Sequence, residues 1–95
     1  MPLEIDDLDL LACLYRKKVI GVKHRRVDSI AGLCHIRNKK GFKKQLKGLV
    51  REGYLNEHHG PSYSLTKIGW RIGERWDEGQ SIEEINEWLE GIENS

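Results

Sequence analysis

Long apolar runs are missing from this 95-residue chain. No stretch approaches the about 18–20 consecutive apolar residues that a membrane span requires, so no membrane association is expected. The N-terminus, MPLEIDDLDLL, is acidic. It therefore lacks the basic start of a secretory signal or transit peptide, and a cytoplasmic location is expected. Cysteine is scarce: Cys13 and Cys34 each sit among apolar residues and form no CxxC pair. The expectation is two free, buried thiols in a reducing compartment rather than a bridge. The four histidines make no HxxxH spacing, so no metal site is expected either. Also absent are a Ser/His/Asp set, a phosphate-cradling glycine loop and clustered carboxylates on a basic face. Neither an enzyme nor a cofactor is expected.

What is present is a balanced composition whose charge is unevenly placed. The apolar share of 38% and charged share of 33% fit a single globular domain. Net charge is only +1, yet residues 1–15 carry −4, residues 16–51 carry +12, residues 52–73 are neutral and residues 74–95 carry −7. In the basic segment thirteen Lys/Arg face one acid, Asp28, read as a local charge partner or cap. A neutral protein with one concentrated basic segment has the electrostatic footprint of a polyanion binder. The competing reading is a pair of solvated faces that attract each other within the fold.

Periodicity organises the chain into short elements. Ile5, Leu8, Leu11 or Ala12, and Tyr15 recur at helical spacing in EIDDLDLLACLYRK, with acids first and bases last, as the helix dipole favours. VIGV (19–22) reads as a small strand or an extended connector. HRRVDSIAGLC (24–34) places Val27, Ile30, Ala31 and Cys34 on one face of a short helix. From Arg37 to Arg51 the sequence holds seven Lys/Arg. Phe42, Leu46, Leu49 and Val50 form an apolar stripe there, and Lys40, Lys43, Lys44, Lys47 and Arg51 a basic one. Asn38 is its expected N-cap and Gly53 its C-terminal turn. The period then changes to two: YLNE and SYSL, joined across HHGP, predict a β-hairpin. Thr66 caps a further helix. Ser81 and Glu84 make a capping box for a last one, on which Ile82, Ile85, Leu89 and Ile92 form an apolar stripe.

The motif FKKQLKGLVREGYL, followed beyond the hairpin by YSLTKIG, resembles the recognition helix and wing of winged helix-turn-helix domains, as found in small bacterial and archaeal transcriptional regulators. The resemblance covers about residues 5–76. It implies a mainly α fold with a small β-hairpin (α+β), a winged helix-turn-helix with additional C-terminal helices. Residues 1–80 would be the winged-helix domain, and 81–95 a C-terminal helix packed on it and serving dimerisation. At the tip of the hairpin stand His58 and His59, where many wings carry arginines.

The resemblance further implies that the basic helix, about 38–52, lies in the major groove of double-stranded DNA, with a short wing at 54–65. Carried over residue by residue, the DNA-contacting set is Asn38, Lys39, Lys40, Lys43, Lys44 and Lys47. Lysines neutralise phosphates, and Asn38 and Gln45 are the amides able to pair with adenine. Arg25 and Arg26, read as opening the second helix, are expected at phosphates, and His59 at the wing. Solvated charge is the competing account of each. Trp70, Trp76 and Trp88 lie away from the cations and are read as packing residues. Ile82, Ile85, Leu89 and Ile92 are the expected homodimer stripe, or else a lid on the domain's own core. The leading expectation is a dimeric transcriptional regulator. The alternative is a winged-helix protein-interaction module or an RNA-binding accessory factor.

Overall fold

A computed structural model describes residues 3–37, 39–59 and 61–93. The first helix, α1 (Ile5–Arg16), is more deeply covered than its stripe predicts: Leu8, Leu10, Leu11, Ala12, Cys13 and Leu14 are all buried, while Ile5 is 55% exposed. Such all-round burial makes α1 the central element of the core. Helix α4 (Lys67–Asp77) lies against it. Gly73 permits that approach, since a Cβ there would sit 2.5 Å from the Leu11 carbonyl oxygen. Tyr15 meets Trp70 edge to face with ring centroids 4.6 Å apart, a favoured aromatic geometry.

Between α1 and the second helix, VIGV makes neither a full strand nor a plain connector. Val19 is buried and its carbonyl accepts from the Leu65 N–H at 2.8 Å; Ile20 forms a single parallel bridge to Leu65. Residues Gly21–Lys23 then make a 3-10 turn. Arg25 and Arg26 stand just before the second helix, with Arg26 as its N-cap, rather than in its first turn. They form a short strand, β1 (Arg25–Arg26), paired antiparallel with Tyr63 and Ser62, and α2 starts only at Val27 (Val27–Leu33). The reason is backbone pairing: a strand edge offered by the hairpin satisfies these N–H and C=O groups before the helix can.

The basic stretch forms α3 (Lys39–Arg51). It ends as its sequence predicts, with Gly53 at φ 86, the Tyr54 N–H on the Leu49 carbonyl and the Gly53 N–H on the Val50 carbonyl, a Schellman motif. Strands β2 (Leu55–His58) and β3 (Ser62–Leu65) form the hairpin, and the sheet order is β1-β3-β2. The Thr66 hydroxyl accepts from the Gly69 N–H and donates to the Gly53 carbonyl, so it caps α4 and ties it to the end of α3. Ser81 caps α5 (Ile82–Glu93) by accepting from the Glu84 N–H at 3.1 Å.

One core joins every helix: Leu8, Leu11, Ile30, Phe42, Leu46, Tyr63, Leu65, Ile72 and Ile85 are each essentially inaccessible. This is a winged helix-turn-helix fold, with α1 and α2–α3 as the helical part, β2–β3 as the wing and α4 and α5 added at the C-terminus. Two expectations about side chains change. Cys13 and Cys34 are bonded in a disulfide that joins α1 to the end of α2; they are not free thiols. Ile85 and Leu89 of the predicted dimer stripe lie in the domain's own core, whereas Ile82 is half-buried and Ile92 is 40% exposed.

Candidate nucleic-acid interface

The site starts from the two stripes of α3. Phe42, Leu46 and Leu49 are buried, each worth about 1.5–3 kcal/mol when fully covered, and that anchoring fixes the rotation of the helix about its axis. The rotation sends Lys40, Lys43, Lys44, Lys47 and Arg51 outward, and all five are exposed. Two glycines within the helix weaken it by roughly 1 kcal/mol each, so its straightness depends on this packing rather than on propensity. Among the described residues no acid lies on α3 itself, and its exposed face is a strip of positive potential.

At its C-terminal half this strip meets the wing. The Lys47 ammonium lies 2.9 Å from Glu57 Oε2 on β2, and the Tyr63 hydroxyl donates to the same oxygen at 2.8 Å. Lys47 first, and Tyr63 after it, hold the Glu57 carboxyl below its ordinary value by hydrogen bonding to the charged form. Burial, reinforced by Glu57, pushes the Tyr63 phenol up to about 12. This arrangement fixes the angle between α3 and the wing, and it occupies one lysine of the expected contact set.

The sheet contributes a second, unexpected cluster. The rings of His24 and His58 stack with centroids 4.4 Å apart and an interplanar angle of 21°. His24 Nδ1 shares a 2.7 Å hydrogen bond with Ser62 Oγ, and His58 Nε2 another of 2.7 Å with Ser64 Oγ. Both serines are buried. The stack fastens the segment before β1 to β2, and so brings exposed Arg25 and Arg26 to the side of the wing. His59 is exposed at the hairpin turn.

Of the predicted contact residues, then, Lys40, Lys43, Lys44 and Lys47 share one exposed face. Arg25 and Arg26 are exposed on strand β1, at the edge of the sheet opposite β2. Asn38 lies outside the described residues, as does the Lys39 side chain. Gln45 departs from the set: half-buried, it donates from Nε2 to Asp7 Oδ1 at 3.0 Å and faces α1. The spacing carried that signal, because Phe42, Gln45, Leu46 and Leu49 fall at i, i+3, i+4 and i+7, which places Gln45 on the inner face. The His24–His58 contact had no comparable signal, since its partners come from segments 34 residues apart.

The tryptophans stay on the α1–α4–α5 side. Besides Trp70, the Trp76 indole donates to Asp9 at 2.8 Å, and the Arg75 guanidinium lies 4.1 Å over the Trp88 ring. Among the described residues no three His, Cys, Asp or Glu side chains gather in a metal-sized group. No described helix is long and apolar enough to cross a membrane.

No protein-family profile and no curated protein matches the chain. Among solved structures, a transcriptional regulator from Thermotoga maritima is similar, with a TM-score of 0.57 and 20% sequence identity over 94% of this chain. The chain spans 58% of the length of that protein. At such identity the likeness is one of fold.

Proposed function

We propose that this protein binds double-stranded DNA and acts as a transcriptional regulator, with α3 in the major groove and the β2–β3 wing beside it. The observation that carries this reading is the exposed face of α3, where Lys40, Lys43, Lys44 and Lys47 stand together at the recognition-helix position of a winged helix-turn-helix. An interaction module would be expected to bury part of that stripe; here it is open to solvent. The solved neighbour, itself described as a transcriptional regulator, supports the same reading.

In this proposal Lys43, Lys44 and the two arginines of β1 neutralise phosphates, which supplies affinity and register. With Gln45 turned toward Asp7, base reading falls to Asn38 and the lysines of the N-terminal half, so sequence preference is modest. The acidic helix α5 is kept off the duplex by its charge. A homodimer belongs to the proposal as an arrangement for two-fold sites, and it is confined to the margin of α5 marked by Ile82 and Ile92. Sedimentation velocity at tens of micromolar decides that point, a single monomer boundary ruling it out.

Selection of bound sequences from a random duplex library tests the main reading. Enrichment of a short motif, with binding of every duplex weakened alike by Lys43→Ala, is the expected result. Recovery of the starting pool at low salt, with Lys43→Ala indistinguishable from the parent, would place the function elsewhere.

A further inference from the structure

Helix α2 is the least anchored part of the helix-turn-helix. Of its seven residues, Ile30 and Ala31 are buried. It closes at Cys34, and His35 then takes a left-handed conformation at φ 53, with the Ile36 N–H on the Ala31 carbonyl at 2.9 Å. This corner redirects the chain into α3. It is held to α1 by the bond from Cys34 to Cys13.

Both half-cystines line a surface cleft of about 600 Å³ together with Asp9, Arg16, Lys17, Trp76 and Asp77. The α1 and α4 walls are tied to each other by the Trp76–Asp9 hydrogen bond at 2.8 Å and the Arg16–Asp77 ion pair at 2.7 Å. The α2 wall is tied by the disulfide. Cys34 is half-buried and Cys13 is 8% exposed, so Cys34 is the more exposed of the two residues.

We propose that the Cys13–Cys34 disulfide is a thiol-exchange site, through which a dithiol reductant releases the α2 corner and thereby lowers duplex affinity. The second half of that statement rests on the DNA-binding reading above. A thiolate of the dithiol attacks the Cys34 sulfur, forming a mixed disulfide and expelling Cys13 as a thiolate. Arg16 and Lys17 line the cleft beside the departing thiolate, and Asp9 and Asp77, the latter paired with Arg16, balance their charge. The second thiolate of the reductant then attacks its own mixed disulfide, closes an internal disulfide and releases Cys34. Two electrons pass from the dithiol to the cystine, and the two cysteine thiolates take up protons from solvent.

The test uses the full chain, oxidised and after incubation with dithiothreitol. Three quantities are read: alkyl groups added by iodoacetamide, amide hydrogen exchange, and duplex affinity at low salt. The proposal expects two alkyl groups on the folded, reduced chain and faster exchange over residues 27–37, with residues 5–16 and 67–77 still protected. It also expects affinity to fall by roughly 5- to 150-fold, the usual range of coupling between two sites, and to recover on reoxidation. The Cys13→Ser, Cys34→Ser double variant should behave as the reduced form whatever the redox state. Failure of the folded chain to accept alkyl groups, unchanged exchange after full reduction, or loss of protection in α1 and α4 as well would each overturn the selective release. Release without a change in affinity would overturn the control of binding. If the oxidised chain binds no duplex, the DNA reading fails by itself, and the exchange measurement still decides the redox step.

Discussion

Helices α3 and α5 have nearly equal lengths, 13 and 12 residues, and both lay apolar side chains on the same core. Their outer faces differ in sign: α3 presents Lys40, Lys43, Lys44 and Lys47, and α5 presents Glu83, Glu84, Glu87 and Glu90. The domain measures 34 × 24 × 22 Å, whereas charges are screened over about 8 Å at physiological ionic strength. Any α5 acid more than a screening length from the α3 lysines leaves their potential largely intact. A net charge of +1 conceals a basic outer face on α3 and an acidic one on α5.

The comparison breaks most visibly in the core. Ile85→Ala should destabilise the fold by about 2–5 kcal/mol in urea denaturation, the usual range for truncating a buried isoleucine. A loss near zero would make α5 a detachable appendage. Deleting residues 81–95 should likewise leave an unstable domain, because it uncovers the seat of Ile85 and removes the Asn86 side chain that accepts from the Leu3 N–H at 3.2 Å.

The matching change on α3, Lys43→Ala with Lys44→Ala, should leave stability within about 0.5 kcal/mol while weakening every duplex to a similar degree. Fluorescence anisotropy and urea denaturation together separate the two effects. A large stability loss would mean that these lysines are part of the packing.

A smaller effect is expected at the junction of α3 and the wing. The folded state raises the Tyr63 phenol to about 12 from an ordinary value near 10. The protonated form is thus the one the fold favours. Its contribution is fully present below about pH 10 and is lost as pH rises through about 12. Absorbance titration at 295 nm should show Tyr63 ionising late, alongside the also raised Tyr15 phenol, together with loss of the fold.

The smallest effect belongs to Glu57→Gln, which keeps an acceptor for Tyr63 and removes an acid beside Lys47. Stability at neutral pH should change far less than in Ile85→Ala, and duplex affinity should rise modestly. Since the Glu57 carboxyl is lowered in the fold, the Lys47–Glu57 contribution is present above the ordinary carboxylate range and fades as pH falls through that lowered value. A drop in affinity on Glu57→Gln would assign Glu57 itself to recognition.

Local chemistry made much of the fold readable in advance. Gly53 after a basic amphipathic run, Thr66 before KIGW and the pair Ser81 and Glu84 each mark a boundary through their own backbone requirements, and each stands where its chemistry places it. What escaped depends on how separate segments cross. The disulfide needs α1 and the end of α2 to meet across 21 residues, and no sequence spacing encodes that meeting. Arg25 and Arg26 have poor strand character and pair only because β3 offers an edge. The spacing of the four-residue stripe on α5 favours a partner over the domain's own core, yet burial of Ile85 and Leu89 depends on where α4 and Leu3 lie. In the candidate site the lysines were legible because a 3.6-residue period fixes which side chains share a face. The Gln45–Asp7 bond was half legible, and the stacked histidines not at all.

If the exposed lysines of α3 sit on duplex phosphates, as proposed, the salt dependence of binding is the decisive measurement. The logarithm of affinity should fall linearly with the logarithm of salt, with a slope of about −0.9 per phosphate neutralised. Removing Lys43 should make that slope shallower by about one contact's worth. Affinity that ignores salt, or a slope that Lys43→Ala leaves untouched, would contradict the account.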